Sequence, residues 1–521
     1  MASGNAMEII ILGGGIAGLT TALSLIKFAP ASQPPRITIY EIRPEPATIG
    51  GAVNLTPNAL RLLSHLGALD EIRAKDYGAE CLAVEVFDLY TNVKIAESSF
   101  KGPEGKGLGD PPFTALRITR GEALKGVLAA IEKHSNIELI CGKKTTKIDE
   151  DESGVSIEFE DGGKARADIL IGCDGIHSVT RLKHVEPERK AIYSGICNAF
   201  GFAPRRKDPS TGEFEPVHFS VSGMNFGRRG ALLTSFHDRA QESIYVGALM
   251  QVPEIADRNG WKAAGADAQK TRNEMLERYS GAANPQIAHW IEDAEGLYLW
   301  PVFTLSKGGK WATDRVMLIG DSAHAMPPQG ESTGIVFEDG VLFSRCLAKW
   351  METRRDQGVP VKEAFDAYEA LRRARIDIAF DESQSVVKTV QDTPWLGHKI
   401  KMNVVPWYLW WTRTYREKHF VEDVTTASKP KNHTMRPYFD ASERPSFRTL
   451  AAGDEARPYH TYTALHMNCA FSPFEDTKGA SYVASETKSM GASQARNADG
   501  GDEEDGQGRN ETAARAGEER A

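Results

Sequence analysis

Short apolar runs alternate with helical patterns over the first part of the chain. Glu8–Leu12 is an isoleucine-rich run that glycines cut off, which is typical of a buried parallel strand. Ile16–Phe28 then has helical spacing and ends before Pro30. A second strand pattern covers Arg36–Tyr40, and Glu41 follows it directly. Together these segments predict a β-α-β unit.

Farther along the chain, some predicted strands are continuous apolar runs, and others alternate between apolar and polar residues. Buried strands are predicted at 168–172 and 315–320. Residues 191–250 instead alternate between apolar and polar positions with turn breaks, as in 217–221 and 243–246. This alternation is typical of an antiparallel sheet with one face on a core.

Composition and charge narrow the classes of protein. A chain of 521 residues exceeds the roughly 250–300 residues at which single cores stop growing, so several packed units are expected. The net charge of −9 argues against a nucleic-acid partner, because phosphate binding needs clustered Lys and Arg. The six cysteines form no CxxC pair, so we expect no metal site and no disulfide scaffold. With neither a signal peptide nor a spanning helix expected, the predicted location is cytoplasmic.

The first motif that carries chemistry is the glycine turn between the first strand and the first helix. Gly13, Gly15 and Gly18 form a GxGxxG pattern, which permits a tight turn and lets the backbone approach a pyrophosphate. Glu41, at the end of the second strand, is placed to accept hydrogen bonds from ribose hydroxyls. A glycine turn with a surface glutamate is the simpler alternative. The agreement of strand, helix and acidic residue favours a dinucleotide site.

Two further motifs follow buried strands: GCDG from Gly172 and GDSAHAMPP from Gly320. In this order and spacing, the three motifs resemble the single-component aromatic hydroxylases among the flavoprotein monooxygenases. That group includes p-hydroxybenzoate and salicylate hydroxylases and many fungal biosynthetic enzymes. The resemblance covers roughly residues 7–385.

The resemblance implies an α/β fold with a Rossmann-like FAD-binding domain, a mostly antiparallel β-sheet substrate domain and a C-terminal helical region. The implied boundaries are 7–80, 113–190 and 300–385 for the discontinuous FAD-binding domain, 81–112 and 191–299 for the substrate domain, 386–450 for the helical region, and 451–521 for an extension. The extension is poor in large apolar residues from about 480 onward, so we expect disorder there.

The resemblance also implies which residues hold the cofactor. Asp321 would bind a ribityl hydroxyl of FAD. Pro327 would lie beside the isoalloxazine, with the next helix aimed at the edge that becomes anionic on reduction. Arg120 matches an arginine that reaches the pyrophosphate region, although a solvated residue at a helix start is the alternative. The other implied cofactor residues are Gly13, Gly15, Gly18, Glu41, Gly51, Ala52, Asp174, Gly175, Gly320 and Gly334.

Two departures from the family pattern concern the substrate end. Relatives carry a glutamine-containing segment before the long helix, where this chain has Glu331. The Glu331 side chain could lie near the flavin or face solvent, and we favour solvent. Tyr245 matches a tyrosine that contacts the phenol in benzoate hydroxylases, and His237 then stands where an arginine would bind a carboxylate. These two are the catalytic candidates, and His237 argues against a benzoate-like substrate. Tyr245 could equally be a core residue.

A segment near the end of the predicted helices is rich in aromatic residues. Residues 404–411 read VVPWYLWW, and Arg413 and Arg416 follow. Aromatic and basic residues in this arrangement occur at membrane interfaces. Packing of the helix over the substrate pocket is the alternative, and we favour it.

The function implied by the resemblance is an NAD(P)H-dependent FAD monooxygenase. NADPH or NADH would dock transiently as the reductant, and O2 would give a flavin C4a-hydroperoxide that hydroxylates or epoxidises an aromatic or natural-product-like small molecule. The alternative is a reductase or cyclase of the same fold that inserts no oxygen. Asp174 and Gly175 favour the monooxygenase, because the matching segment of relatives is linked to their use of the nicotinamide.

Overall fold

The computed structural model describes residues 6–426, except for residues 49, 103, 329 and 331. The strands, in chain order, are β1 (Glu8–Leu12), β2 (Arg36–Tyr40), β3 (Ala52–Leu55), β4 (Ala79–Cys81), β5 (Ala83–Asp88), β6 (Lys94–Ser99), β7 (Ala115–Thr119), β8 (Ile137–Ile140), β9 (Thr145–Asp151), β10 (Gly154–Phe159), β11 (Lys164–Ala167), β12 (Ile169–Gly172), β13 (Ile192–Pro204), β14 (Ser222–Gly227), β15 (Gly230–Phe236), β16 (Ser243–Gln251), β17 (Glu295–Thr304) and β18 (Val316–Leu318).

The helices are α1 (Ile16–Phe28), α2 (Pro57–His65), α3 (Ala68–Ala74), α4 (Arg120–Ile131), α5 (Arg258–Ala266), α6 (Ala268–Tyr279), α7 (Gln286–Asp293), α8 (Asp321–His324), α9 (Ser332–Thr353), α10 (Lys362–Val390), α11 (Trp395–Trp411) and α12 (Arg413–Val421).

Strands from distant parts of the chain form one parallel sheet, in the order β18-β12-β1-β2-β8. Ile9 pairs with Ile169 on one side and with Ile37 on the other. These central residues are buried, as expected for a sheet covered on both faces. Helix α1 lies against the long helix α9, where a Cβ on Gly340 would be 2.9 Å from Thr21 Oγ1. The β-α-β unit and the α/β fold class predicted from the sequence are therefore confirmed.

A seven-stranded sheet has the order β17-β13-β16-β15-β14-β5-β6. Neighbouring strands are antiparallel except for β14 and β5, which are parallel. One face carries Leu232 and Phe236, which pack into a core with Met275 of α6 and Trp290 of α7. The other face carries the alternate residues of the same strands, and it meets the short sheet β3-β7-β4. That meeting point is where the candidate site lies.

The structure corrects one predicted strand. Residues 218–221 form bends, Val217 has no regular structure, and the strand β14 begins only at Ser222. The backbone N–H of Ser220 donates to Glu85 Oε2 at 2.6 Å, and His218 bonds the side chains of Asn225 and Asn284. Because the Ser220 N–H is bonded to a side chain, residues 218–220 do not join the strand ladder, although the apolar residues of the segment still face the core.

Helix α11 also differs from the favoured interpretation. Trp407, Trp410 and Trp411 are 56%, 71% and 56% exposed, so their predicted packing is wrong in the part of the chain that the structure describes. The buried residues of α11 are His398 and Met402. No helix among the described residues has the length and apolarity needed to cross a membrane. The predicted extension 451–521, with the disorder expected from about 480, lies outside the described residues, as do residues 427–450 of the predicted helical region and Glu331.

Candidate functional site

The glycine turn holds two backbone segments in close contact. A Cβ on Gly18 would lie 2.0 Å from the Gly13 carbonyl oxygen, and one on Gly13 would lie 2.3 Å from the Cys173 carbonyl oxygen. Among the described residues, no atom lies within 4 Å of a Cβ placed on Gly15, and no side chain caps α1. The N-terminus of α1 therefore opens with free N–H groups that can receive a pyrophosphate.

Glu41 is fixed beside this turn by two backbone donors. Its Oε2 accepts from the Gly14 N–H at 2.8 Å, and its Oε1 accepts from the Arg43 N–H at 2.9 Å. The side chain is buried, with 5% of the residue exposed. Each carboxylate oxygen keeps a lone pair for a further donor, so the position fits an acceptor for ribose hydroxyls.

Asp321 begins the short helix α8, directly after Gly320. A Cβ on Gly320 would lie 3.6 Å from the Ala17 Cβ, so this motif adjoins the start of α1. Asp321 is exposed, but protein surrounds it on several sides. The resulting desolvation raises the pKa of its carboxyl group, and His324 and Arg120 oppose that rise. In the described part of the chain no hydrogen bond to its side chain is formed. An acceptor of this kind fits a cofactor hydroxyl.

The resemblance gives the turn at Asp174 a part in binding FAD and the nicotinamide, and the Asp174 side chain forms hydrogen bonds within that turn. Its carboxylate accepts from Ser178 Oγ at 2.5 Å and from the backbone N–H and Oγ1 of Thr180 at 2.9 and 3.0 Å. Burial raises the pKa of this carboxyl group, and those donors oppose the rise. The side chain thus orders the turn after β12. Gly175, at φ +75°, leaves that turn open, since no atom of the described residues lies within 4 Å of its ideal Cβ position.

Two buried arginines connect the second and third motifs, and sequence reasoning assigned neither of them a role. Arg181 donates from Nη1 to the Ser322 carbonyl at 2.8 Å and from Nε to the Arg189 carbonyl at 3.0 Å. Arg189 donates to the Ala323 carbonyl at 2.9 Å. Burial lowers the pKa of both guanidinium groups. By holding the α8 backbone, they position Asp321.

A buried charge network lies beneath the same helix. Arg372 donates to Asp339 Oδ1 at 2.6 Å and to Glu338 Oε2 at 2.8 Å, and His324 Nε2 lies 2.7 Å from Asp339 Oδ2. Asn58 donates to the second oxygen of Glu338 at 2.9 Å. The network joins α2, α8, α9 and α10, which surround the third motif. The sequence signal was the pair of adjacent acids at 338–339 inside an apolar helix.

Arg120 heads α4, where Thr119 and Glu122 form a capping box. The Arg120 N–H donates to the Gly51 carbonyl at 3.1 Å. A Cβ on Gly50 would lie 2.6 Å from Arg120 Cδ, so the side chain covers this glycine. Arg120 is exposed and close enough to Asp321 to lower its pKa. The predicted cofactor residues near 50–52, 120 and 321 are therefore brought together.

Tyr245 lies directly against the segment that was matched to the flavin. A Cβ on Gly51 would be 2.0 Å from Tyr245 Cε2, and Ala52, Phe200 and Tyr245 form one buried cluster. Burial raises the pKa of the Tyr245 hydroxyl, which therefore stays protonated at neutral pH. The contact joins β3 to the open face of the seven-stranded sheet.

His237 follows β15 on the same face of the sheet. Its ring lies 4.8 Å from the Phe202 ring, which in turn lies 5.7 Å from the Tyr245 ring. Burial lowers the pKa of His237, and Asp238 opposes that shift, so the ring is neutral near pH 7. Its Nδ1 is buried and has no hydrogen-bond partner among the described residues. The two catalytic candidates are thus brought to one aromatic wall.

The remaining predicted residues lie at the start of α9. Pro327 is buried in the loop that precedes this helix. Gly334 is in the first turn, where a Cβ would lie 3.2 Å from Thr56 Oγ1 and 3.1 Å from Asn58 Nδ2. A side chain at 334 would therefore crowd the end of β3, next to the matched flavin segment.

An open helix N-terminus after a glycine turn, with carboxylates at the ends of neighbouring parallel strands, defines a dinucleotide-binding protein. The family model described as an FAD binding domain matches residues 6–383. The chain belongs to this family. It is an FAD-dependent monooxygenase of the aromatic hydroxylase group.

Two curated relatives have similar sequences. A 3-amino-4-hydroxybenzoate 2-monooxygenase of Streptomyces platensis is 28% identical over 378 residues, which is 72% of this chain and 86% of the relative. A salicylate hydroxylase of Pseudomonas putida is 28% identical over 384 residues, which is 71% of this chain and 82% of the relative.

Two solved structures share the fold. Klebsiella pneumoniae HpxO complexed with FAD and uric acid matches with a TM-score of 0.61 and 20% identity, covering 80% of this chain and 95% of that one. A salicylate hydroxylase substrate complex matches with a TM-score of 0.61 and 19% identity, covering 80% and 97%.

Proposed function

We propose that this enzyme uses NADPH or NADH and O2 to hydroxylate or epoxidise an aromatic or natural-product-like small molecule. The observation that carries the proposal is the contact between Gly51 and Tyr245. It brings the segment matched to the flavin against an aromatic sheet face that can hold a planar substrate. Both curated relatives named above are hydroxylating enzymes that act on aromatic acids.

The chain's own residues would bind and orient the reactants. The α1 N-terminus and Arg120 would bind the pyrophosphate, Glu41 a ribose, and Asp321 a ribityl hydroxyl. Bound FAD would supply the hydride acceptance and the oxygen activation that no side chain here provides. The buried cluster of Ala52, Phe200 and Tyr245 would exclude water from the reacting centre.

The nicotinamide is proposed to dock transiently near the turn at 174–175. The match of that turn to the family segment supports this placement. In the structure the Asp174 carboxylate orders the turn, so it would shape the docking surface and leave the backbone near Gly175 to make the contact.

Isotope labelling separates this function from the alternative, a reductase or cyclase of the same fold. Purified holoenzyme is incubated with NADPH or NADH and a panel of phenols, indoles and prenylated aromatics under ¹⁸O₂. We expect at least one compound to accelerate nicotinamide oxidation and to carry one ¹⁸O atom in its product. Product that forms without ¹⁸O, or with oxygen from water, would establish the alternative.

A further inference from the structure

Helix α11 carries most of the large apolar side chains that the protein exposes. Among the described residues, fourteen large hydrophobic side chains are exposed, and eight of them lie on this one helix. Extended apolar patches on a protein surface mark sites of interaction with another molecule. The eight residues are Trp395, Leu396, Ile400, Val404, Trp407, Tyr408, Trp410 and Trp411.

Five of these residues form one stripe along the outer face of the helix. Leu396, Ile400, Val404, Trp407 and Trp411 follow one another at intervals of four, four, three and four residues, which is the spacing of a single helical face. All five are at least 50% exposed, and the rings of Trp407 and Trp411 are stacked with their centroids 5.4 Å apart. A surface helix ordinarily directs such a stripe toward the core, so the apolar face of α11 is reversed.

The opposite face of α11 attaches the helix to β6, the edge strand of the seven-stranded sheet. His398 and Met402 are its buried residues, and the His398 ring lies 5.1 Å from the Tyr90 ring. Lys401 Nζ donates to two backbone carbonyls, at 3.0 and 3.1 Å. Because these contacts hold the helix against the sheet, its apolar stripe is directed away from the protein.

The same part of the chain is basic, although the whole chain is acidic. Residues 395–418 contain five lysine and arginine residues and one glutamate, which gives a net charge of +4, whereas the full chain carries −9. Lys399, Arg413 and Lys418 are exposed, and Lys399 Nζ lies 5.0 Å from the centre of the Trp395 ring. The stripe therefore lies among cations that would attract an anionic surface.

We propose that α11 and the start of α12 bind the surface of an anionic lipid bilayer, with α11 lying in the plane of the interface. Tryptophan suits this position, because its ring is apolar and its indole N–H can bond to headgroups and water. The exposed lysine and arginine side chains would reach the lipid phosphates. A second copy of this chain fits less well, since a symmetric contact would bring two basic segments together.

Vesicle flotation with the full-length holoenzyme tests the proposal. Vesicles of phosphatidylcholine alone are compared with vesicles that also contain about 30% phosphatidylserine. We expect the wild-type enzyme to float with the anionic vesicles and to partition onto them about 10-fold or more strongly than onto the neutral ones. Because part of the attraction is electrostatic, about 0.5 M NaCl should weaken this preference.

Two double variants separate the apolar contribution from the electrostatic one. Trp407→Ser/Trp411→Ser should reduce partition onto anionic vesicles about 10-fold or more, because it removes apolar area that the lipid would bury. Lys399→Gln/Lys418→Gln should reduce it by roughly 5-fold for each charge removed. Both variants should retain FAD and the wild-type melting temperature, since the changed side chains are exposed.

Matched controls change equivalent residues elsewhere on the protein. Trp300→Ser removes an exposed tryptophan from β17, at the opposite edge of the seven-stranded sheet. Lys262→Gln/Lys270→Gln removes two exposed charges from α5 and α6. We expect both controls to partition onto anionic vesicles like the wild-type enzyme.

Four results would overturn the proposal. They are absence of flotation of the wild-type enzyme with either vesicle, equal partition onto both, partition that Trp407→Ser/Trp411→Ser leaves unchanged, and an equal loss in Trp300→Ser. Sedimentation equilibrium identifies the other occupant of the stripe. A dimer that Trp407→Ser/Trp411→Ser converts to monomers, without flotation of the wild type, would assign the stripe to a second copy of this chain. None of these measurements requires turnover, so their outcome is independent of oxygen insertion.

Discussion

Arg372 of α10 forms ion pairs with both Glu338 and Asp339 of α9, at 2.8 and 2.6 Å, and all three residues are at most 2% exposed. Asp339 also bonds the Gly320 N–H and His324, on either side of Asp321 in the chain, so the contact supports the position of Asp321. Two buried carboxylates share one arginine, with His324 on the outer oxygen of Asp339. This relationship has measurable consequences for stability.

We expect Arg372→Met to lose about 3–5 kcal/mol of unfolding free energy, because it leaves buried carboxylates without their cation. Burial alone would raise the pKa of Asp339, but His324 and Arg372 together hold it below the ordinary value. In wild type this contribution is therefore present above the unfolded pKa and lost as pH falls through the folded pKa. In the variant His324 remains beside Asp339, so the folded pKa rises toward the unfolded value and this contribution to stability should become smaller.

Urea denaturation between about pH 2.5 and pH 8 measures both effects, because the loss lies below the ordinary Asp pKa of 3.8. Lys362→Met on the same helix is the control, because Lys362 pairs with Asp366 in an exposed ion pair, worth about 0–1 kcal/mol. Equal small losses in the two variants would mean that the buried network does not support the fold.

The glycine turn gives a matched pair of substitutions. Gly18→Ala should destabilise the protein by several kcal/mol, roughly 2–4, because its Cβ would meet a backbone oxygen that cannot move aside. Gly15→Ala meets no atom and should unfold like wild type, yet its methyl group would obstruct the open end of α1. We expect it to weaken FAD binding selectively. Chemical denaturation of the apoproteins and flavin titration check the two results, and unaltered FAD affinity in Gly15→Ala would reject the pyrophosphate assignment.

Asp321→Ala should fold and lose flavin. No hydrogen bond from a described residue holds this carboxylate, so its removal costs the fold little, whereas a cofactor hydroxyl would lose its acceptor. We expect at least about a 10-fold rise in the FAD dissociation constant, equivalent to about 1.4 kcal/mol. Asp381→Ala, which removes an exposed partner of Lys307, is the control. Full flavin retention by Asp321→Ala would refute its assigned role.

Asp174→Asn tests whether this residue acts through its turn. The amide would present a donor to one of its present donors, Ser178 or Thr180. We expect a loss of about 1–3 kcal/mol in stability, the cost of leaving a buried donor unbonded. The Michaelis constant for the nicotinamide should rise, because the turn is less well ordered. Ser178→Ala should also lower the stability and raise this Michaelis constant. A variant with altered nicotinamide binding but unchanged stability would point to direct contact.

Local patterns predicted much of the fold. The strand β1, the helix α1 and the strand β2 have the bounds that periodicity indicated, because each is set by neighbouring residues and by glycines with few conformational alternatives. The strand predicted at 217–221 was wrong for the converse reason. Its alternation is that of a strand, but Glu85, far away in the chain, bonds its backbone N–H.

The sequence by itself determined the α/β class, the dinucleotide turn and the family, since these depend on short motifs with fixed spacing. Only the tertiary structure decided which residues lie around the aromatic wall of Phe202, His237 and Tyr245. Arg117 and Ser235 are 118 positions apart and bond at 2.9 Å, and Gly51 touches Tyr245 across two sheets. Such contacts arise when separate sheets pack, and no local periodicity encodes which polar group is then left buried without a partner.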